Sequence, residues 1–184
     1  MNDFHRDDAW QKSVRGALLV PGFYKQYAQE GRYVFIDKGR LAKTLQKRYA
    51  VDTIYQDVEG GAVCIEEKIV RWPGYQYRSF CLETDSCTVP GHESQGWMHY
   101  GEADYLLYCF HQETDSLSCY LIDFKKLQEW FWSISETFSD FYMKNTLNKT
   151  KGKVVPIADV EAAVPTYHYQ IGERPKATIA DRLF

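Results

Sequence analysis

Residues 51–72 read VDTIYQDVEGGAVCIEEKIVRW, two runs of β-branched and aromatic residues joined by a stretch with two adjacent glycines. Val, Ile, Thr and Tyr favour the pleated, half-buried surface of a sheet, and glycine supplies the φ > 0 positions that a tight hairpin or its bulge requires. The two runs are expected to pair antiparallel. The second run breaks strand logic in its middle, where Glu66, Glu67 and Lys68 stand between Ile65 and Ile69. Side chains two apart in a strand point the same way, so Glu66 and Lys68 share a face.

The length of the connection decides what meets that face. With an odd number of residues in it, either Val58 to Gly60 or Asp57 to Gly61, Asp52 falls opposite Glu66 and the two carboxylates stand about 5 Å apart. Such a pair is repulsive unless a cation lies between its members, and hard oxygen donors with few histidines nearby point to Mg²⁺ or Mn²⁺. A metal held by Asp52 and Glu66 would bind a phosphate oxygen, acidify a bound water and stabilise charge developing on phosphorus. Lys68 would orient that water or help to deprotonate it. The chemistry expected is phosphodiester hydrolysis. Glu83 ends another strand-like run, FCLETDS, beside Thr84 and Ser86, and is an additional candidate for the same centre.

Asp52, a gap, then Glu66-Glu67-Lys68 in a β-hairpin resembles the D…(D/E)xK signature of the PD-(D/E)XK nuclease superfamily, the restriction-endonuclease-like fold. The resemblance covers roughly residues 39–130. It implies an α/β domain with a mixed central sheet flanked by helices, Asp52 and Glu66 as metal ligands, Lys68 as the catalytic polar residue, and Glu67 lending its main-chain carbonyl to the metal. Val51 stands where the motif's namesake has proline. Gln46, on the preceding helix, stands where many members carry a further acid, and is an additional site candidate. DNA is the implied substrate, and a homodimer remains open.

DNA binding has to be local here, because the formal net charge is −3. In GRLAKTLQKRYA, Leu41 and Leu45 recur at helical spacing while Arg40, Lys43 and Lys47 share the other side, either as a solvated face or as a phosphate-contacting one. Lys144 to Lys153 is a second basic run, expected as a loop, and Arg71 is a further candidate contact. The loop VPGHESQGWMHYGE and its surroundings offer Trp72, Trp97 and Tyr100 as stacking residues for bases, against ordinary packing under a loop.

Around the hairpin, residues 1–31 read as a helical lead-in, RYVFID as a short strand, and YRSFCLET, ADYLLYCF and SLSCYLIDF as further strands. KKLQEWFWSISETF continues as a helix with Leu127, Trp130, Phe131 and Ile134 on one stripe. A single domain over residues 1–184 is expected, with its core at about 32–140 and a loop-rich extension over 144–184. No apolar stretch approaches the roughly 18 residues of a membrane span, and MNDFHRDDAW lacks a signal-peptide pattern, so a cytoplasmic protein without membrane partners is expected. Four of the five cysteines sit in apolar runs, where a thiol is usually a small buried hydrophobe. Two rival readings remain: a nuclease-fold module that binds DNA or protein without turnover, and a zinc-binding module built on Cys81, Cys87, His92 and His99, whose spacing lacks a CxxC knuckle.

Overall fold

The computed structural model of the chain describes residues 3–25, 31–36, 39–71, 78–112, 116–143 and 149–172. It is an α/β domain built on a mixed six-stranded sheet: β1 (Arg32–Phe35), β2 (Thr53–Gln56), β3 (Ala62–Arg71), β6 (Tyr105–His111), β7 (Leu117–Asp123) and β10 (Thr166–Ile171), in that spatial order. Neighbours run antiparallel except β3 and β6, which are parallel. A parallel pair needs a long crossover. Here the crossover carries β4 (Ser79–Cys87) and β5 (Ser94–Gln95) into a second, four-stranded antiparallel sheet with β8 (Ser139–Tyr142) and β9 (Lys151–Pro156), ordered β5-β4-β9-β8.

The helices are α1 (Asp3–Val14), which runs on as a π-helical segment (Arg15–Tyr24), then α2 (Gly39–Tyr49), the single turn α3 (Trp97–Tyr100), α4 (Phe124–Ile134) and α5 (Ile157–Ala163). None of the described helices is long and apolar enough to cross a membrane.

Strand alternation divides the core in two. On β6, Leu106, Tyr108 and Phe110 join one cluster with Phe80, Leu82, Tyr120, Ile122, Phe124, Leu127, Phe131 and Val155. Leu107 and Cys109 face the other way, into a cluster with Leu19, Phe23, Tyr24, Ile65, Ile69, Cys119 and Ile171. Both faces of β6 and β7 are covered, which explains why their sequences read as near-continuous apolar runs. Helix α4 starts where Asp123 caps it, its carboxylate accepting from the Lys126 amide at 3.1 Å. Its stripe of Phe124, Leu127 and Phe131 is buried as the 3.6-residue period requires.

The structure corrects the expected boundaries at both ends. Val14, Leu19, Phe23 and Tyr24 are core residues, so the lead-in is a layer of the domain. Beyond residue 144, β9 pairs with β4 and β10 pairs with β7, so the segment read as a loop-rich extension supplies a strand to each sheet. Only Cys109 and Cys119 are buried; Cys64 and Cys87 are half-buried and Cys81 is exposed.

The π-helical segment and β10 meet at Gly22. A Cβ added there would land on the Ile171 side chain. Gly22→Ala is therefore expected to destabilise by about 1–3 kcal/mol through overpacking, and Ile171→Ala by about 2–5 kcal/mol through the cavity it leaves. In urea unfolding the double variant should lose less than the two singles added together, because the smaller side chain makes room for the new methyl. Strict additivity would mean that the two positions share no space.

Candidate active site

The hairpin is fixed at its tip by Asp57. Its Oδ1 accepts from the amides of Glu59 at 3.0 Å and Gly61 at 2.7 Å, and Gly60 takes φ +89° between them. The connection is thus the five residues Asp57 to Gly61. Thr53 pairs with Ile65, Ile54 with Cys64, Tyr55 with Val63 and Gln56 with Ala62, the register expected from an odd connection.

Asp52 lies one step beyond that ladder. Its amide donates to the Ile65 carbonyl at 2.9 Å, not to that of Glu66, and its own carbonyl accepts from the Ile36 amide at 2.8 Å. The approach from α2 passes through Ala50, buried, with φ +48°. A non-glycine residue in this region is strained and is held only by its surroundings. The outcome is a carboxylate gripped from two sides: Asp52 Oδ1 accepts from Gln46 Nε2 at 2.9 Å, and Oδ2 from the Glu67 amide at 3.1 Å.

From here the alternation of β3 separates two groups of charges. On one face, Glu66 Oε1 is 2.5 Å from Lys68 Nζ, and the Asp52 carboxylate is within hydrogen-bonding reach of Glu66. Lys68 Nζ also stands 5.1 Å from the centre of the Trp97 ring, a cation–π arrangement. Glu83 lies close enough to act on Lys68, and its Oε1 accepts from Ser86 Oγ at 2.5 Å. The Tyr100 hydroxyl is hydrogen-bonded to Ser86 and feels both Lys68 and Glu83. The side chain of Glu66 is 5% exposed and that of Lys68 32%, so the cluster opens to solvent on the lysine side.

On the opposite face, Glu67 is enclosed. Its Oε1 accepts from Tyr24 and Thr53 hydroxyls, each at 2.5 Å, and its Oε2 meets Arg15 Nε at 2.6 Å. Burial pushes the Glu67 carboxyl up, against the pull of Arg15 and the two hydroxyls, and the net shift is upward.

Burial likewise raises Glu66, Lys68 opposes, and the neighbouring Asp52 adds to the rise, so that Glu66 is pushed up to about 8. For Lys68, burial pulls downward but Glu66 and Asp52 outweigh it, and the ammonium is held above its ordinary value. In this setting, with no metal bound, Lys68 is a cation and hydrogen-bond donor.

Of the residues singled out from the sequence, Asp52, Glu66, Lys68, Gln46 and Glu83 come together. Arg40, Lys43 and Lys47 are exposed on α2. Lys43 and Lys47 flank Gln46 at positions that share a side of the helix, so the basic stripe borders the cluster. Three expected contacts are corrected. Trp97 is 4% exposed and packed against Phe124 at 5.8 Å, which leaves it under Lys68 as a floor and unavailable for stacking on bases. Arg71 lies on the Glu67 face of β3, with its guanidinium 4.4 Å from the centre of the Trp10 ring. Lys151 and Lys153 belong to β9 and share the single carboxylate of Asp140 at 3.3 and 2.9 Å, so the described end of the second basic run is a strand whose charge is partly offset, where a loop was expected. Trp72 and residues 144–148 lie outside the described residues.

Among the described residues no three His, Cys, Asp or Glu side chains converge to hold a metal. A closed four-ligand zinc site has no basis in this set, Cys81, Cys87, His92 and His99 included. The Asp52 and Glu66 pair is a different case, since Mg²⁺ keeps several of its waters and is bound through one or two carboxylates. The Glu67 amide points to the Asp52 edge of β3, and a strand residue's carbonyl lies on the same edge as its N–H. Two carboxylates within hydrogen-bonding reach of one another, with a main-chain oxygen on the same strand edge, form a hard-oxygen set that fits such an ion.

Arg15, Tyr24 and Thr53 carried no signal in the sequence motif. Thr53 could have been found, because it pairs with Ile65 on the face that Glu67 shares; Arg15 and Tyr24 are brought in by the fold alone. No protein-family model, no curated protein and no solved structure matches this chain.

The raised Glu66 has a consequence for stability in metal-free buffer. Between its ordinary value of 4.5 and its native value of about 8, the folded protein binds more protons at this site than the unfolded chain does. Stability therefore falls as pH rises through that window and levels off above it. Glu66→Gln should flatten the fall, leaving the smaller slope that Glu67 contributes in the same direction, and should gain most over the parent near pH 8. Urea midpoints measured from pH 5 to pH 9 in EDTA check this; identical pH profiles for the two proteins would contradict it.

Proposed function

We propose that this protein is a divalent-metal-dependent nuclease that hydrolyses phosphodiester bonds in DNA. The observation that carries the reading is the convergence of Asp52, Glu66 and Lys68 on one solvent-reaching face of a hairpin, in the order and spacing of the D…(D/E)xK signature. Asp52, Glu66 and the main-chain carbonyl of Glu67 would hold Mg²⁺ or Mn²⁺, which supplies charge stabilisation at phosphorus and acidifies a water.

The chain's own residues have separate tasks. Gln46 and the Glu67 amide keep the Asp52 carboxylate aimed at the centre. Lys68, kept charged by the acids around it and seated over Trp97, donates hydrogen bonds to a phosphate oxygen or to the attacking water. Glu83, tied to Ser86, steadies the lysine from its other side. Arg40, Lys43 and Lys47 offer the local positive charge that a protein of net charge −3 needs in order to approach a phosphate backbone. The setting we infer is intracellular, where DNA is the accessible substrate.

One observation favours a second reading, a module of this fold that binds DNA or protein without turnover. The Glu66–Lys68 ion pair, at 2.5 Å, already offsets one of the two carboxylates without a metal ion.

Cleavage assays separate the two. Plasmid, linear duplex and single-stranded DNA should be cut with Mg²⁺ or Mn²⁺ and left intact in EDTA. Lys68→Ala and Glu66→Ala should each lower the rate by about a hundredfold or more while the fold persists, as loss of a charge-stabilising group does at other centres. No metal-dependent cleavage by the parent would favour the binding module, and parental rates in both variants would mean that the activity lies elsewhere or comes from a contaminant.

A further inference from the structure

The single turn α3 divides its side chains between the candidate site and the surface. Trp97 and Tyr100, three apart, face Lys68 and the Ser86–Glu83 pair. His99 points outward, is exposed, and lies against Trp132 of α4 with ring centres 4.1 Å apart and planes tilted by 30°. Trp132 is itself 38% exposed, a large aromatic residue left in solvent on the outer side of that turn.

This outer pair of rings is fastened in place. The Trp132 indole N–H donates to the Met98 carbonyl at 3.2 Å, and Gln128 Nε2 donates to the carbonyls of Met98 at 3.1 Å and Gly101 at 3.0 Å. With its one polar group bonded inward, the indole offers its apolar surface to whatever lies outside. The same turn is tied to the basic helix, because the Glu102 amide donates to the Tyr49 carbonyl at the end of α2 at 2.8 Å. Exposed cations and exposed rings are thus carried by two adjoining elements, α2 and α3, each of which also sends a side chain to the carboxylate–lysine cluster, Gln46 from α2 and Trp97 from α3.

We propose that the His99–Trp132 stack is a nucleobase platform that makes unpaired DNA the preferred substrate; this rests on the nuclease reading given above. The platform holds a base next to the scissile phosphate while the phosphate itself is presented to Lys68. Stacking is tolerant of sequence, since every base has a π-face. It is selective for strand state, because a base inside a duplex is already stacked on both sides and gains nothing from a protein ring. Single strands, frayed ends and flaps are the substrates that can use it.

Binding in EDTA tests the platform without any turnover. The probes are a fluorescently labelled oligothymidylate, a strand of equal length made of abasic sites, and a blunt duplex, each followed by anisotropy with the parent, His99→Ala, His99→Phe and Trp132→Ala. The parent should bind the oligothymidylate about tenfold or more tightly than the abasic strand, as expected for loss of base–aromatic stacking. His99→Ala and Trp132→Ala should lose that advantage while changing duplex affinity less than twofold, and His99→Phe should retain it. His99 is exposed, so its alanine variant decides the matter if Trp132→Ala fails to fold. Parental oligothymidylate affinity in His99→Ala, equal losses on single strand and duplex, or no preference for bases over abasic sites would each overturn the proposal. Failure of the nuclease reading shows elsewhere, as absence of metal-dependent cleavage whether or not the bases are bound.

Discussion

The carboxylate of Glu67 fixes the arrangement on which the rest depends. It is 1% exposed and is held by Arg15, Tyr24 and Thr53 on the face of β3 away from the candidate site. Because strand side chains alternate, anchoring Glu67 inward forces Glu66 and Lys68 to the other face. A slip of one residue would send every side chain of β3 to the wrong side, and leaving such a buried charge without its partner costs about 3–5 kcal/mol. The register of the strand is thus set by an ion pair behind the sheet as well as by the hairpin in front of it. Arg15 and Tyr24 bound the π-helical segment at its two ends, so the layer that looked like a lead-in acts on the centre through a single side chain.

On the front face, the same strand holds acids in a way that no isolated sheet would favour. Burial and the neighbouring Asp52 raise the cost of ionising Glu66, Lys68 relieves part of it, and the buried Ala50 at φ +48° shows backbone strain two residues before the first acid. Hydrogen bonds from Gln46 and from the Glu67 amide keep Asp52 from turning away. Strain, like charges at close range and a lysine seated on an aromatic floor occur together at one opening of the surface, the combination expected of a site shaped for a ligand of opposite charge.

Local signals made part of this legible from residues alone. The glycines at the hairpin tip and the β-branched runs on either side sufficed for the pairing of β2 with β3, and period two sufficed for Glu66 and Lys68 sharing a face. Period two also settles Arg71, which falls with Ile65, Glu67 and Ile69 and so away from Lys68. The second sheet was not legible, because its pairing joins β4 to a strand some seventy residues later, and the basic run from Lys144 to Lys153 reads as a loop until its described end is seen to pair with β4 and to share Asp140. Trp97 departs from its expected exposure for a related reason: its neighbours are glycine-rich and polar, yet Gly96 and Gly101 open and close a turn that drops the indole into the core. Arg15 lies too far along the chain for any spacing rule to link it with Glu67.

The central claim is that Asp52 and Glu66 together form a cation site beside a lysine that is not itself a ligand. Calorimetric titration of Mn²⁺ into the folded protein tests it most directly, with no assumption about substrate. The account predicts saturable binding that releases protons near neutral pH, is abolished by Asp52→Ala and by Glu66→Ala, and persists in Lys68→Ala. Absence of binding to the parent, or undiminished binding to both carboxylate variants, would contradict it.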